Sequence, residues 1–185
     1  MAVSWADPRY TMGVKMDNIV KKRWISLYVE NEIGVLAKIS GLFSGKSYNM
    51  DSLTVGETED ETISRMTISV TSDEMTFEQI KKQLNRSVEV IKVIDFTDIP
   101  IHMKEILFVK INNLTEAEKA EVFRIIDVFD ISVIDYNKNS MLLECVHTEN
   151  RNNDIIKLLR NSFINRIEVV KGGSVAIEAI SISDR

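Results

Sequence analysis

The order in which apolar periodicities change along the chain constrains its fold more than any other feature. Between residues 23 and 94, apolar alternation typical of strands and apolar spacing typical of helices follow each other in the order β-α-β-β-α-β. The same order recurs between residues 106 and 170. Because a split β-α-β unit places its helices on one face of the sheet, we predict an α+β fold of two tandem ferredoxin-like sandwich domains.

Helix start signals support this order. Thr76 to Gln79 has the form of a capping box, and so has Thr115 to Glu118. Each precedes a set of apolar residues at helical spacing. In the second half, Asn137 to Asn139 is rich in turn-forming residues and predicts a hairpin between two strands.

The same pattern sets the expected domain boundaries. Residues 1–22 show no sustained periodicity and are interpreted as a flexible extension. Residues 23–97 form the first predicted domain, 98–103 the linker and 104–185 the second domain. One face of each sheet lacks helices, so a partner or the other domain must cover it, and we expect a homodimer.

Composition excludes several classes of partner. The chain carries 23 basic and 28 acidic residues, a formal net charge of −5, spread evenly: residues 1–97 hold 12 and 14 of them. Without a basic tail or patch, nucleic-acid binding is not expected. The longest apolar run, Ile106–Val109, is far short of the about 20 residues that span a bilayer, and no signal-peptide core is present. We therefore expect no membrane contact and a cytoplasmic location.

Residues able to perform chemistry are sparse. Cys145 is the single cysteine and lies in an apolar stretch, which predicts a buried structural thiol. His102 and His147 fall in different halves and lack metal-ligand spacing. The acidic run from Glu57 to Glu61 is typical of a solvated loop. The sequence thus predicts no catalytic residues and no metal site.

One segment suggests a small-molecule site. From Asn31 to Leu36 the first strand passes into the first helix, with Gly34 at the turn. Backbone N–H groups at a helix N-terminus bind a carboxylate, glycine lets a ligand approach the backbone, and an asparagine amide can serve either charged end of an amino acid. Asn49, at the start of the second strand, could supply a second amide. The alternative is that Asn31 only caps the helix and Gly34 only relieves the turn.

Four segments make the sequence resemble the small regulatory subunit of acetohydroxyacid (acetolactate) synthase: Val29–Leu36, Gly41–Ser44, Tyr48–Val55 and Ser64–Thr67. The resemblance covers about residues 23–111 and is followed by a weaker match to the C-terminal domain of that family. It implies that the first domain is an ACT domain, a ferredoxin-like module that senses amino acids.

The resemblance also implies a function in the biosynthesis of valine, leucine and isoleucine. A member of this family is a noncatalytic homodimer that activates a large catalytic subunit and confers feedback inhibition by valine. Thiamine diphosphate, Mg²⁺ and FAD would belong to that partner, and no cofactor to this chain. In the family the effector lies between two ACT domains, and the matching positions here are Asn31, Ile33, Gly34, Val35, Leu36 and, across the interface, Asn49.

Two other functions remain open from the residues. A free-standing ACT protein could sense an amino acid for a different enzyme or for a transcriptional partner. An enzyme in its own right would show turnover by the isolated chain. Copurification with a large thiamine-diphosphate enzyme and an activity assay would separate these possibilities.

Overall fold

The computed structural model describes residues 19–46 and 48–180, which form two α+β units. The first contains β1 (Lys21–Glu30), α1 (Val35–Gly45), β2 (Met50–Glu57), β3 (Ile63–Ser72), α2 (Glu74–Leu84) and β4 (Val90–Asp95). The second contains β5 (Ile101–Ile111), α3 (Glu116–Phe129), β6 (Ser132–Tyr136), β7 (Met141–His147), α4 (Glu149–Ser162), β8 (Ile167–Lys171) and β9 (Val175–Glu178). The predicted β-α-β-β-α-β order is confirmed in both units.

Each unit is an antiparallel sheet with its helices on one face. The strand orders are β2-β3-β1-β4 and β6-β7-β5-β8, so β2 is an edge strand of the first sheet. Alternate residues of the strands and the inner faces of the helices form one core per unit. The first core contains Ile25, Leu27, Val29, Val35, Ile39, Phe43, Met66, Ile68, Val70, Phe77, Ile80 and Leu84.

The structure moves two of the expected boundaries. Lys21 and Lys22, predicted as part of the extension, pair with Ser72 and Thr71 in β1, while residues 1–18 lie outside the described part. The predicted linker 98–103 includes the first residues of β5, which pair with β9. At the start of β1 the charged run Lys21–Arg23 hides the alternation from sequence inspection. At the start of β5 the alternation is present, but Pro100 directly before it favours the interpretation as a linker.

The two predicted capping boxes have different outcomes. Helix α2 begins earlier than expected, because Asp73 is its N-cap and accepts a hydrogen bond from the Thr76 N–H at 2.8 Å. The box predicted at Thr76 is therefore wrong. At α3 the box is confirmed: the Thr115 hydroxyl accepts from the Glu118 N–H, and the Glu118 carboxylate accepts from the Thr115 N–H at 2.8 Å.

The helix-free face of the first sheet is partly covered by the second unit. Thr54 Oγ1 on β2 donates to the backbone oxygen of Ser174 at 2.7 Å, and Arg65 Nη2 on β3 donates to that of Ala176 at 3.2 Å. The polar residues Ser26 and Ser69 of this face are fully buried. The expectation that a second domain or a partner covers this face is met, in part, by residues 174–176.

Three further predictions concern the cysteine, a metal site and membrane contact. Cys145 is buried as predicted, and burial raises the pKa of its thiol to about 11. Within residues 19–46 and 48–180, no three His, Cys, Asp or Glu side chains are grouped so that they could hold a metal ion. Among the same residues, no helix has the length and apolar character needed to cross a membrane.

Candidate effector site at the first strand-to-helix turn

Gly34 forms the turn between β1 and α1. Its φ of +93° lies in the left-handed region, which glycine adopts without the penalty of a Cβ. It is the N-cap residue of α1, and no side chain of the described residues accepts a hydrogen bond from the first turn of this helix. The helix N-terminus therefore keeps backbone N–H donors and the positive end of its dipole available to an anion.

Asn31 ties this turn to the loop between β2 and β3. Its Nδ2 donates to the backbone oxygen of Glu61 at 2.9 Å and to Glu57 Oε1 at 3.3 Å, and its Oδ1 accepts from Ser64 Oγ at 3.0 Å. Since these bonds use both ends of the amide, the alternative that Asn31 caps the helix is wrong. Asn31 holds the turn in place.

Three side chains that follow Asn31 differ in exposure. Ile33 is fully exposed and Leu36 is half exposed, whereas Val35 is buried in the first core. The turn thus presents two apolar side chains beside the open helix end, while Val35 anchors the helix against the sheet. A small aliphatic group would find apolar contact here.

The electrostatics on the other side of the turn are acidic. A surface depression next to it is lined by Glu30, Asn31, Glu32, Glu61, Thr62, Ile63 and Ile91. The nearby cation Lys38 is hydrogen-bonded to Glu89, which raises the pKa of the Lys38 ammonium. A helix N-terminus suited to a carboxylate beside carboxylates suited to an ammonium matches the two charges of a free amino acid.

Asn49 is not brought to this turn within one chain. It precedes Met50, which pairs with Val70 near one end of β3, whereas Asn31 bonds Ser64 near the other end. Six residues of strand separate these points, which corresponds to about 20 Å. The structure thus groups five of the six predicted residues and leaves Asn49 at the opposite end of the sheet.

Glu61 and Ser64 also take part in the turn, although the sequence pattern alone does not predict this. Both contact Asn31 across some 30 residues of chain, a separation that no local motif reports. The signal that could have found them is strand register, because β1 and β3 pair antiparallel and set Glu30 opposite Ile63.

Comparison with known proteins identifies the family of the chain. Residues 25–92 match the family model of the ACT domain of acetohydroxyacid synthase small subunits, and residues 104–180 match that of the small subunit of acetolactate synthase. The chain belongs to the acetolactate synthase small-subunit family. The two matches correspond to the two α+β units, so the first unit is an ACT domain.

Relatives in this family match most of the chain. The acetolactate synthase small subunit of Aquifex aeolicus is 39% identical over 158 residues, which is 85% of this chain and 81% of that protein. The small subunit of Bacillus subtilis is 36% identical over 84% of this chain and 89% of its own length. The crystal structure of the Thermotoga maritima small subunit superposes with a TM-score of 0.78 at 29% identity, covering 88% of this chain and 99% of that one.

Proposed function

We propose that this chain is the noncatalytic regulatory subunit of an acetolactate synthase. It binds the catalytic large subunit, raises its activity and makes it sensitive to valine. Family membership supports the partner, and the open N-terminus of α1 beside the acidic depression carries the proposal of an amino-acid effector. We assign the condensation chemistry, with its thiamine diphosphate, Mg²⁺ and FAD, to the large subunit.

The proposed effector site is completed by a second copy of the chain. Among the described residues β2 is an edge strand, so the backbone groups on the side away from β3 can pair with another strand. Symmetric antiparallel pairing of two β2 strands about their midpoint sets Met50 of one copy opposite Glu57 of the other. Because Glu57 contacts Asn31, this pairing carries Asn49 of the partner subunit to the turn.

Valine fits the groups gathered in this way. Its carboxylate lies at the N–H groups of α1, its ammonium faces the acidic depression, and its isopropyl group contacts the exposed Ile33 and Leu36. The partner subunit's Asn49 adds an amide that can bind either charged end. Inhibition follows by linkage, since valine shifts the complex toward whichever arrangement binds it better.

The first test is binding and assembly. The purified chain should bind valine in a calorimetric titration, and the same titration with leucine and isoleucine ranks the effectors. Mixed with the large subunit at micromolar concentration, it should copurify and raise the rate of pyruvate condensation. A chain that binds an amino acid but no large thiamine-diphosphate enzyme would be the free-standing sensor, and turnover by the isolated chain would make it an enzyme.

A second test asks whether two chains share each site. Gly34→Asp and Asn49→Ala should each weaken valine binding as pure dimers. When the two variants are mixed, a hybrid dimer has one site that takes Gly34 from one chain and Asn49 from the other, and both are unchanged. Valine binding should therefore reappear in the mixture at about a quarter of the sites. If mixing restores nothing, the shared site is wrong.

A further inference from the structure

Residues 172–176 join the two units at the helix-free face of the first sheet. They connect β8 to β9 and lie against β2, the strand that we assign to the dimer interface. Thr54, in the middle of β2, donates its hydroxyl to the backbone oxygen of Ser174 at 2.7 Å. Ser174 is buried and Thr54 is partly buried, so the accepting end of this hydrogen bond is shielded from water.

Gly173 makes this contact possible. A Cβ at this position would lie 2.9 Å from Thr54 Cγ2 and 3.3 Å from the backbone oxygen of Leu53. These distances are shorter than ordinary van der Waals contact, so a larger residue would push the segment away from β2. The neighbouring Gly172 has a different environment, because a Cβ there would lie 3.0 Å from Ile106 Cγ2 within the second unit.

A second tie continues the contact onto β3. Arg65 Nη2 donates to the backbone oxygen of Ala176 at 3.2 Å, and its Nε donates to Ser26 Oγ at 2.9 Å. Its guanidinium lies over the Tyr28 ring, 5.2 Å from the centroid, which fixes the direction of the side chain. A movement of β2 and β3 would therefore displace β9 through these contacts.

β9 is in turn coupled to the body of the second unit. It pairs with residues 101–104 of β5, and the same strand continues as residues 105–111 into the sheet with β7 and β8. A continuous strand is stiff along its length, so a displacement at β9 reaches the second sheet without crossing a flexible joint. The Lys22–Glu149 ion pair, at 2.6 Å, adds a further link between the units.

We propose that the segment 172–176 is the relay through which effector binding at the β2 edge reaches the second unit. This inference rests on the proposed function. When valine draws the two β2 strands into its preferred arrangement, the contacts of Thr54 with Gly173 and Ser174 shift β9 and, through β5, the sheet of the second unit. Packed contacts of this kind carry coupling between sites when two arrangements are available.

The test uses the full chain reconstituted with its catalytic subunit. Gly173→Ala should leave the valine dissociation constant of the free regulatory chain within about twofold, yet reduce the maximal inhibition of pyruvate condensation about fivefold or more, the lower range of allosteric coupling. Gly172→Ala is the matched control, since its methyl group meets only the second unit, and it should respond to valine like the parent. Both readouts are needed because a purely structural defect would lower binding and inhibition together.

Two further variants of Thr54 sharpen the test. Thr54→Ser combined with Gly173→Ala removes the methyl group that clashes and keeps the hydroxyl donor, so inhibition should return. Thr54→Val removes the hydrogen bond without adding bulk and should weaken inhibition in the same direction as Gly173→Ala. This variant also keeps the test decisive if Gly173→Ala fails to fold.

The outcomes separate the two proposals. Suppose that the parent chain binds valine and its complex is inhibited by valine. If the Gly173→Ala complex is then inhibited as strongly as the parent complex, the relay is wrong and the proposed function stands. The same holds if Gly172→Ala loses as much inhibition as Gly173→Ala. If the parent chain binds no valine, the proposed effector site falls and the relay falls with it.

Discussion

The N-termini of α1 and α3 occupy the same place in the two units, directly after the first strand of each β-α-β-β-α-β order. In the second unit the Thr115 side chain caps α3 and the Glu118 carboxylate closes the box, while Arg166 binds that carboxylate at 2.5 Å. In the first unit Gly34 caps α1 in a left-handed conformation, and no side chain of the described residues caps the helix.

The difference supports our proposal that the first unit binds a ligand at this helix end while the second unit does not. Both helix ends attract a negative charge, because the N–H groups and the dipole are the same. The second unit satisfies this demand with its own carboxylate, held so firmly by Arg166 and the Thr115 N–H that its pKa falls to about 2. In the first unit no side chain of the described residues fills this place, which is why we propose that the carboxylate of a ligand binds there.

The largest expected effect comes from supplying that carboxylate within the first unit. Gly34→Asp places a negative charge at the open end of α1, where no heavy atom of the described residues beyond the two chain neighbours lies within 4 Å of the new Cβ. It should raise the valine dissociation constant about a hundredfold, because this is the change in affinity expected when a hydrogen bond to a charged group is lost. Calorimetry on the free chain measures this, and activation of the catalytic subunit should persist.

Gly34→Asn is the matched control for that substitution. It carries the same backbone strain at φ +93° and nearly the same volume, but no charge. The asparagine variant should bind valine distinctly more tightly than the aspartate variant. Equal affinities would mean that shape, and not charge at the helix end, decides binding.

A smaller effect is expected when the turn is loosened. Asn31→Ala removes the bonds to Glu61 and Ser64 and should weaken valine binding about fivefold, as expected for about 1 kcal/mol of hydrogen bonding. Ser64→Ala keeps the Asn31 bond to Glu61 and serves as a milder control in the same titration. A larger loss for Ser64→Ala than for Asn31→Ala would contradict the role given to Asn31.

In the second unit, loss of the cap should cost stability and leave valine binding unchanged. Thr115→Ala removes the hydroxyl that accepts the Glu118 N–H, with an expected loss of about 1 kcal/mol of unfolding free energy in urea. Thr115→Ser retains the hydroxyl and should stay close to the parent. If the alanine variant bound valine more weakly than the parent, the assignment of ligand binding to the α1 end alone would be wrong.

The smallest effect is a change in acid sensitivity. The pKa of Glu118 is lowered from 4.5 to about 2 by Arg166 and Thr115, so its stabilising contribution is complete above pH 4.5 and is lost as the pH falls toward 2. Glu118→Gln should flatten the dependence of unfolding free energy on pH in that window. Glu121→Gln, which removes an exposed charge on the same helix, should keep the slope of the parent.

These helix ends also show what the sequence could predict. The box from Thr115 to Glu118 is local, with both partners three residues apart, and it was predicted correctly. For α2 the sequence indicates Thr76 as the N-cap, but the N-cap is Asp73, three residues upstream. The Asp73 carboxylate accepts a hydrogen bond from the Thr76 N–H, so Thr76 lies within the first turn of the helix. Strand β9 is not predicted from the sequence, because it has only four residues, Val175–Glu178, and alternation over so few positions is not distinctive.

In the candidate site, too, the local features follow from the sequence and the long-range contacts do not. The turn from Asn31 to Leu36 is contiguous, and Gly34 has the conformation that its residue type indicated. The partners of Asn31 depend on the register of β1 and β3, which sequence inspection alone leaves undetermined. The contribution of Asn49 depends on a second copy of the chain and stays a prediction.

The contact between Arg65 and Ala176 has a consequence for synthesis of the protein. The two residues are 111 positions apart, so the first unit, which is made first, receives the cover of its helix-free face only after almost the whole second unit has been translated. At ribosomal rates this interval is roughly 5–20 s. During that time the polar face around Ser26 and Ser69, which is buried in the complete fold, lacks the cover of residues 174–176 and is exposed to water.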